Sequence, residues 1–404
     1  MMNIDEQVEW LMQGSDYGDP TIAAAMAKEL DERLAESART GKPLNVYCGY
    51  DPTSSGLHLG HTVTMRKLRQ FQELGHNVTF LIGNFTSLIG DPTDKDKARP
   101  SITAEQVMEN AKTYAEQAFR VLDPERTVIK YNADWLKEVK LEELFRLAAN
   151  FTAQQVMARE NFHNRLEANE PIYLHEFFYP LSQGFDAHHL EADVQVGGTD
   201  QLYNIVTASR KIMASYGQKP NIGLLMPLLP GTDGVQKMSK SLGNIIPINT
   251  TADDMYGKVM SLPDNMMITF AQLTSGWSLN EIHQFEGGIK ENTLHPRDAK
   301  MQLAKGITKL FYGEEAAEVA QNNFVTMFQQ GSMPDEIPDY ALSDGETVLD
   351  VMLKAGLAGS KSQARRLIDQ QGVKLDGVTV SDSDTALAAG SILQVGKRHY
   401  LRIK

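Results

Sequence analysis

Cysteine is almost missing from this chain: Cys48 is the only one in 404 residues. No internal disulfide and no cysteine-built zinc site can form, which suits a reducing compartment. No run of about eighteen apolar residues occurs, so no membrane partner is expected. The start, MMNIDEQVEW, has neither the basic residues nor the apolar run of a signal or transit peptide, and the cytoplasm is the expected location. GxGxxG and GxxxxGK[ST] are also absent, which removes the dinucleotide and P-loop readings. Positive charge is in deficit. The net charge of −13 by itself argues against a nucleic-acid partner. From Thr347 onward, however, nine Lys and Arg face five Asp and Glu, a net of +4 that leaves −17 on the rest. An acidic body with a small basic tail is compatible with RNA binding.

What is present reads as an ordinary globular chain, 42 % hydrophobic and 23 % charged, long enough for about two to three domains. Residues 3–39 read as helical. LNVYCGY (44–50) and VTFLIG (78–83) have strand character, and His61–Leu74 between them can share an apolar helical face, with Gly75 as a stop. Strand, loop, helix and strand in about forty residues point to a parallel α/β sheet of Rossmann-like type. Further strands are expected at 127–131, 194–197 and 222–229, with helices over 104–122 and 136–166. Residues 251–330 read as mostly helical. GSMPDEIPDYALSDGE (331–346) has two prolines, five acidic residues and no Lys or Arg, and reads as a linker. The tail, 347–404, reads as a small α+β unit with helices over 347–355 and from the N-cap Ser360, ending in the strand YLRIK. The expected division is therefore 1–250, 251–330, 331–346 and 347–404.

Two segments carry chemistry. DPTSSGLHLGH (51–61) lies between a strand and a helix, where α/β sheets bind ligands. Gly60, between His58 and His61, lets the backbone approach a flat ring, and a helix N-terminus favours anions. By itself the segment reads equally as a metal pair or as surface histidines, although a metal wants a third ligand. KMSKS (237–241) sits among glycines in LPGTDGVQKMSKSLGN. Lys237 and Lys240 can hold a polyphosphate as point charges; a lone KMSKS is also simply a basic loop. The two together, about 180 residues apart, resemble the paired signature of class I aminoacyl-tRNA synthetases, with Leu59 where isoleucine is common.

YCGYDPT (47–53), FTSLIGDPTDKDKAR (85–99) and YPLSQGFDAHHLEADVQVGGTDQ (179–201) resemble the bacterial tyrosyl-tRNA synthetases in particular. The resemblance runs from about residue 30 to the C-terminus. It implies that Tyr47 and Asp186 grip the phenol hydroxyl of tyrosine, a donor and acceptor that phenylalanine would leave unpaired. Tyr179, Gln183 and Asp91, with Thr86, match positions that hold the α-ammonium, and Gln201 one beside the reacting carboxylate. The spacing of Tyr179, Gln183 and Asp186 suits one helix face. For ATP, Cys48, His61 and Asp200 match ribose contacts. Gly49, Asp51 and Gly60 fall among the adenylate positions, and Thr53, His58 and Thr64 match the phosphate-facing part. Lys95 and Arg99 match loop cations that approach pyrophosphate. Ser54–Ser55–Gly56 and Tyr50 depart from the common family wording and are expected to carry no contact.

The resemblance implies tyrosyl-adenylate formation from L-tyrosine and ATP, then transfer to the 3′ end of tRNA(Tyr), with release of diphosphate and AMP. A carboxylate needs no general base to attack the α-phosphorus, so positioning and charge stabilisation are the expected means. Mg2+ is expected to arrive with ATP, held by phosphates and water; no protein metal ligand and no tightly bound cofactor is expected. SKSQARRLIDQQGVKLDGVTV (360–380) resembles the ribosomal protein S-four-type RNA-binding fold, with Lys361, Arg365 and Arg366 as a phosphate-following stripe. The family pattern also implies a homodimer with its contact near 135–180 and a helical, anticodon-side domain at 251–330. Three rivals remain in view: a tryptophanyl-tRNA synthetase, a related nucleotidyltransferase without RNA, and a non-catalytic RNA-binding derivative. The phenol pair, the basic tail and the intact motifs respectively count against them.

Overall fold

Five apolar segments pair into one parallel sheet in the computed structural model of the chain, which describes residues 2–54, 56–93, 102–329, 337–343, 345–396 and 399–404. They are β1 (Asn45–Tyr50), β2 (Asn77–Ile82), β3 (Thr127–Tyr131), β4 (Val194–Gly198) and β5 (Ile222–Met226). Their order is β3-β2-β1-β4-β5, every neighbour parallel. β5 is buried at all five positions and β4 at four of its five, as a sheet covered on both faces requires. These are the five strands expected from sequence.

The helical readings need more revision. Residues 3–39 are two helices, α1 (Ile4–Met12) and α2 (Pro20–Thr40). Gly14 and Gly18, at φ 71° and 66°, turn the chain between them. Asp19 then caps α2 by accepting from Thr21 N–H, with Pro20 in the first helical position. α3 (Leu59–Glu73) crosses from β1 to β2 and buries Leu59, Val63, Leu68 and Phe71. α4 (Ala104–Ala118) follows. The stretch 136–166 is cut into Ala133–Leu136, α5 (Leu141–Ala148), Ala153–Met157 and α6 (Glu160–Glu167). A capping box of Thr152 with Gln155 starts one of these anew. α7 (Phe178–His189) leads into β4. After β5 come α8 (Ala252–Met260), α9 (Met267–Thr274), α10 (Leu279–Lys290) and α11 (Pro296–Gln329). α11 breaks at Gly313 (φ 83°, ψ 170°), and there the chain divides into two compact units, Met1–Gly313 and Glu314–Lys404.

In the second unit, β6 (Asp339–Tyr340), β7 (Val373–Leu375), β8 (Val378–Thr379), β9 (Ile392–Val395) and β10 (His399–Ile403) form a sheet of order β6-β10-β9-β7-β8. α12 (Val348–Lys354) and α13 (Lys361–Asp369) supply Val351, Met352, Ala364 and Ile368 to a core shared with Val373, Leu393 and Ile403. β6 lies inside the stretch read as linker: Tyr340 is in register with Ile403, so 337–343 is partly sheet edge, while 331–336 and 344 lie outside the described residues. Among the described residues no helix is long and apolar enough to cross a membrane.

Candidate active site

Each strand of the first sheet ends in a residue that faces one crevice. β1 runs into Asp51, β2 toward Thr86, β3 into Asn132, β4 toward Asp200 and Gln201, and β5 into the segment that leads to Lys237. The strand order switches direction between β1 and β4, and open α/β sheets bind ligands at the carboxyl edge of such a switch point. A cavity of about 1020 Å³ lies there. Tyr47, Cys48, Gly49, Asp51, Thr53, His58, Gly60, His61, Thr64, Thr86, Asp91, Tyr179, Gln183, Asp186, Asp200, Gln201, Lys237 and Lys240 all line it. Residues far apart in sequence thus meet in one place. Lys95 and Arg99 lie outside the described residues.

At the buried end of the cavity, α7 presents Tyr179, Gln183 and Asp186 from one face. Asp186, 2 % exposed, accepts from Trp135 Nε1 at 2.7 Å and from Asn132 Nδ2 at 3.1 Å. Burial pushes its carboxyl up to about 8, against the pull of those two donors. The Tyr47 hydroxyl is raised as well, by burial first and then by the nearby Asp186 charge. Tyr47 OH and Gln183 Oε1 are buried without a hydrogen-bond partner among the described residues. Such groups carry a desolvation cost that a polar ligand relieves. Sequence reasoning misses Asn132 and Trp135. The available signal is position, since Asn132 is the first residue past the carboxyl end of a parallel strand.

A polar chain runs from this end toward the mouth. The Asn132 amide also donates to Thr86 Oγ1 (3.0 Å), Thr86 donates to Asp51 Oδ1 (2.7 Å), and the Tyr179 hydroxyl donates to Asp51 Oδ2 (3.1 Å). Gly83 is where this chain touches the backbone: a Cβ there would lie 2.0 Å from Asp51 Oδ1 and 2.4 Å from Thr86 Oγ1. Alongside, Asp91 accepts from Gln201 Nε2 at 2.7 Å, and Gln201 accepts from Asn204 at 2.9 Å. Carboxylates and neutral acceptors so arranged can receive an ammonium.

At the mouth the two sequence motifs are joined. Leu59 N–H donates to Ile246 C=O (3.0 Å), Ile248 N–H to Leu57 C=O (3.2 Å), and His58 bridges Pro247. Lys240 Nζ donates to Ser54 Oγ at 2.8 Å, a contact within the protein that the sequence reading does not consider. Tyr50, the other departure, shares a 2.8 Å hydrogen bond with Thr64 and stacks on Phe80. His58 N–H donates to His61 Nδ1 at 3.2 Å, which leaves the proton of a neutral His61 on Nε2. Burial lowers His61 to about 4 and His58 further, with Lys240 opposing protonation of both. Lys240 itself is lowered by burial. Gly60 is needed for the His58 ring, which would lie 3.0 Å from a Cβ there. Cys48 is a buried thiol raised to about 11 by desolvation, so it offers a neutral donor.

In the second unit, Ser360 caps α13 by accepting from Gln363 N–H at 3.2 Å. Ala364 and Ile368 face the core, while Lys361, Arg365 and Arg366 are exposed.

Comparison with known proteins gives the family and the fold. Residues 39–329 match the model of the tRNA synthetases class I (W and Y), and residues 348–393 match the S4 domain. The chain is 47 % identical over 379 residues to a tyrosine–tRNA ligase of Moorella thermoacetica, covering 93 % of this chain and 92 % of that one. It is 43 % identical over 407 residues to the tyrosine–tRNA ligase of Desulfotalea psychrophila, covering 100 % and 99 %. Among solved structures, the fold is similar to a C-terminally truncated mitochondrial tyrosyl-tRNA synthetase of Aspergillus nidulans, with TM-score 0.64 at 23 % identity over 81 % of this chain and 95 % of that one. It is similar also to a tyrosyl-tRNA synthetase of Archaeoglobus fulgidus complexed with L-tyrosine, with TM-score 0.58 at 22 % identity over 79 % and 100 %.

Proposed function

Since this chain belongs to the class I tRNA synthetases of the tryptophan and tyrosine group, we propose how its residues divide the work of the tyrosine reaction. The activity is that of a tyrosine–tRNA ligase: tyrosine is activated with ATP and the tyrosyl group is passed to tRNA. The observation that carries the residue assignment is the Tyr47–Asp186 end of the cavity. A buried hydroxyl without a partner, and a buried carboxyl with one indole and one amide donor, fit a phenol, which both donates and accepts. An indole substrate would satisfy only one of them. Phenylalanine would satisfy neither, and the unpaired groups would count against it.

From that anchor the rest follows in order along the cavity. Asp91, Tyr179, Gln183 and Thr86 receive the α-ammonium, with Asp51 organising Thr86 and Tyr179. Gln201 stands beside the carboxylate that attacks the α-phosphorus. Cys48, Gly49, Gly60 and Asp200 take the nucleoside. Thr53, Thr64, His58, His61, Lys237 and Lys240 face the phosphates, and Lys95 and Arg99 are assigned to the pyrophosphate by the family resemblance alone. A neutral His61 with its proton on Nε2 is a hydrogen-bond donor to an oxyanion, and the lysines neutralise the charge that grows on the leaving pyrophosphate. Mg2+ would enter with ATP and share that neutralisation, held by phosphate oxygens and water. The tRNA is gripped through Lys361, Arg365 and Arg366 of the S4 unit, and the cytoplasm, where charged tRNA is consumed, is where we place the enzyme.

A homodimer completes the proposal. Leu141, Phe145, Leu166, Tyr173 and Leu174 are exposed large apolar or aromatic side chains between residues 141 and 174, Leu174 at 77 %. So many exposed apolar side chains in one stretch of the sequence support an association surface, and the stretch overlaps the one where the family resemblance predicts the contact.

ATP–pyrophosphate exchange with each of the twenty amino acids tests the substrate assignment. Exchange supported by tyrosine alone is the expected result. Exchange supported by tryptophan would overturn the phenol pocket.

A further inference from the structure

The loop that carries Lys237 and Lys240 is shaped from outside its five-residue motif. Asn244 is 5 % exposed. Its Oδ1 accepts from Ser239 N–H at 2.8 Å, and its Nδ2 donates to Lys237 C=O at 3.1 Å and to Asp233 Oδ2 at 2.7 Å. A side-chain amide has an acceptor and two donors, and here both kinds are used. Lys237 C=O and Ser239 N–H flank Met238, and are the two groups that a neighbouring strand would take up in a ladder. The Asn244 amide stands in for that strand. Met238 is turned inward, 6 % exposed, whereas Lys237 is exposed.

The grip extends to the loop's tip. Asp233 Oδ1 accepts from Val235 N–H at 2.9 Å and Gln236 N–H at 3.0 Å, which leaves Oδ2 for Asn244. Thr232 N–H donates to the Asn244 carbonyl at 2.9 Å. Gly231 makes the approach possible, because a Cβ there would lie 2.1 Å from Asn244 Nδ2. One side chain therefore ties the tip, the Lys237 carbonyl and the Ser239 amide together, and Lys240 leaves this frame toward Ser54.

We propose that Asn244 is a positioning residue for Lys237 and Lys240, and that it works through a polar contact with Asp233 whose direction matters. The proposal rests on the assignment of those lysines to the pyrophosphate. Asn244 touches no reacting atom; it fixes where the ammonium groups stand when the α-phosphorus is attacked, and misplaced charge weakens catalysis. The direction of the contact makes it testable. Asn244→Asp sets two carboxylates face to face and removes the donor to Lys237 C=O. Asp233→Asn sets two amide N–H groups face to face, because Oδ1 stays committed to the turn. The swap D233N/N244D restores one donor opposite one acceptor at the same size and net charge; the bonds from position 244 to Lys237 C=O and, at 3.5 Å, to Gln236 C=O stay missing.

The test is ATP–pyrophosphate exchange on the full chain, with tyrosine binding and thermal melting measured on the same samples. Each single variant is expected to lower the exchange kcat by about 30-fold or more while the tyrosine KM moves less than about twofold, and the swap to recover about tenfold over N244D. Wild-type exchange in N244D, or a swap no better than N244D, overturns the proposal. If N244D melts below the assay temperature, Asn244→Ser takes its place: it removes the amide donors without adding charge, and full activity there overturns the proposal as well. Lys240→Met separates the two layers. Loss of exchange in K240M with no recovery in the swap defeats the asparagine proposal alone, while full exchange in K240M defeats the lysine assignment and the proposal with it.

Discussion

Lys240 Nζ and Ser54 Oγ lie 2.8 Å apart across 186 residues of chain, so the two motif segments are in contact through side chains as well as through the 57–59 and 246–248 backbones. Ser54 thereby holds the ammonium over the mouth of the cavity. Ser54→Ala frees it, at a cost of about 1.5–3 kcal/mol for removing a hydrogen bond to a charged group. The expected outcome is a rise of about tenfold or more in the ATP KM with the tyrosine KM unchanged. Equal movement of both constants in exchange kinetics would contradict this separation of the cavity into two ends.

Trp135 and Asn132 donate to Asp186 and oppose the effect of its burial, which nonetheless leaves the carboxyl at about 8. A phenol donates best to the ionised carboxyl, so tyrosine affinity should rise from about pH 6.5 to about 8.5. Asp186→Asn should abolish that slope. Trp135→Phe removes a donor that favours ionisation, so the same rise should move to higher pH and discrimination against phenylalanine should weaken. Stability runs the other way. The folded-state value lies above that of an unfolded aspartate, so the stabilisation present at low pH is diminished as pH rises toward and through 8. The melting temperature without tyrosine should fall over that range, and tyrosine should restore it.

The histidines make an opposite prediction. His58 and His61 are held well below the usual imidazole range by burial, with the Lys240 charge adding to it. Neither titrates between about pH 6 and 8, so the ATP KM should be flat across that interval. His61→Gln, which can still present an N–H, should retain more exchange activity than His61→Ala. A step in the ATP KM near the ordinary imidazole value of about 6.5 that His61→Ala removes would refute the neutral-donor role.

The parallel sheet is legible in the sequence because four of its five strands are short and mostly buried, β5 at every position, while the edge strand β3 (TVIKY) has no buried residue and is read from its β-branched side chains. α13 is legible from Ser360 and the Ala364–Ile368 spacing. Helix breaks are not: Thr152, Asp19 and the Gly14–Gly18 turn divide sequences whose composition is helical throughout, because capping acts on single residues and composition averages over many. β6 is hidden by its acidic, proline-containing surroundings, and only pairing with β10 makes Asp339–Tyr340 a strand. In the site, many of the residues that line the cavity emerge through resemblance. Asn132, Trp135, Ser54 and Asn244 escape it because each acts on another protein group; for the first three the partner is a distant segment, and for Asn244 it is the fold of its own loop.

Association should be easy to disrupt at a single point. Leu174 is 77 % exposed in the isolated chain, beside Tyr173 at 49 %, and both sit in the segment that enters α7. Leu174→Asp places a charge where the proposed contact buries an apolar side chain; on an isologous interface it is introduced twice. Light scattering should show a dimer mass for the wild type and a monomer mass for L174D. A dimer undisturbed by L174D would move the interface elsewhere.

The tail makes the cleanest division between the two half-reactions. Lys361, Arg365 and Arg366 are exposed on α13, whose opposite face is anchored by Ala364 and Ile368 in the second unit's own core. Their replacement by alanine therefore removes charge without opening that core. Each cation taken away from a phosphate should lower the slope of log affinity against log salt by about 0.7 to 0.9 and weaken binding at low salt most. The triple variant K361A/R365A/R366A should raise the tRNA KM of aminoacylation by about tenfold or more, while ATP–pyrophosphate exchange, which needs no RNA, stays at the wild-type rate. A matching fall in both assays would mean that the tail supports the catalytic unit itself. An unchanged tRNA KM with an unchanged salt slope would mean that α13 faces solvent in the complex and that RNA is held by another surface.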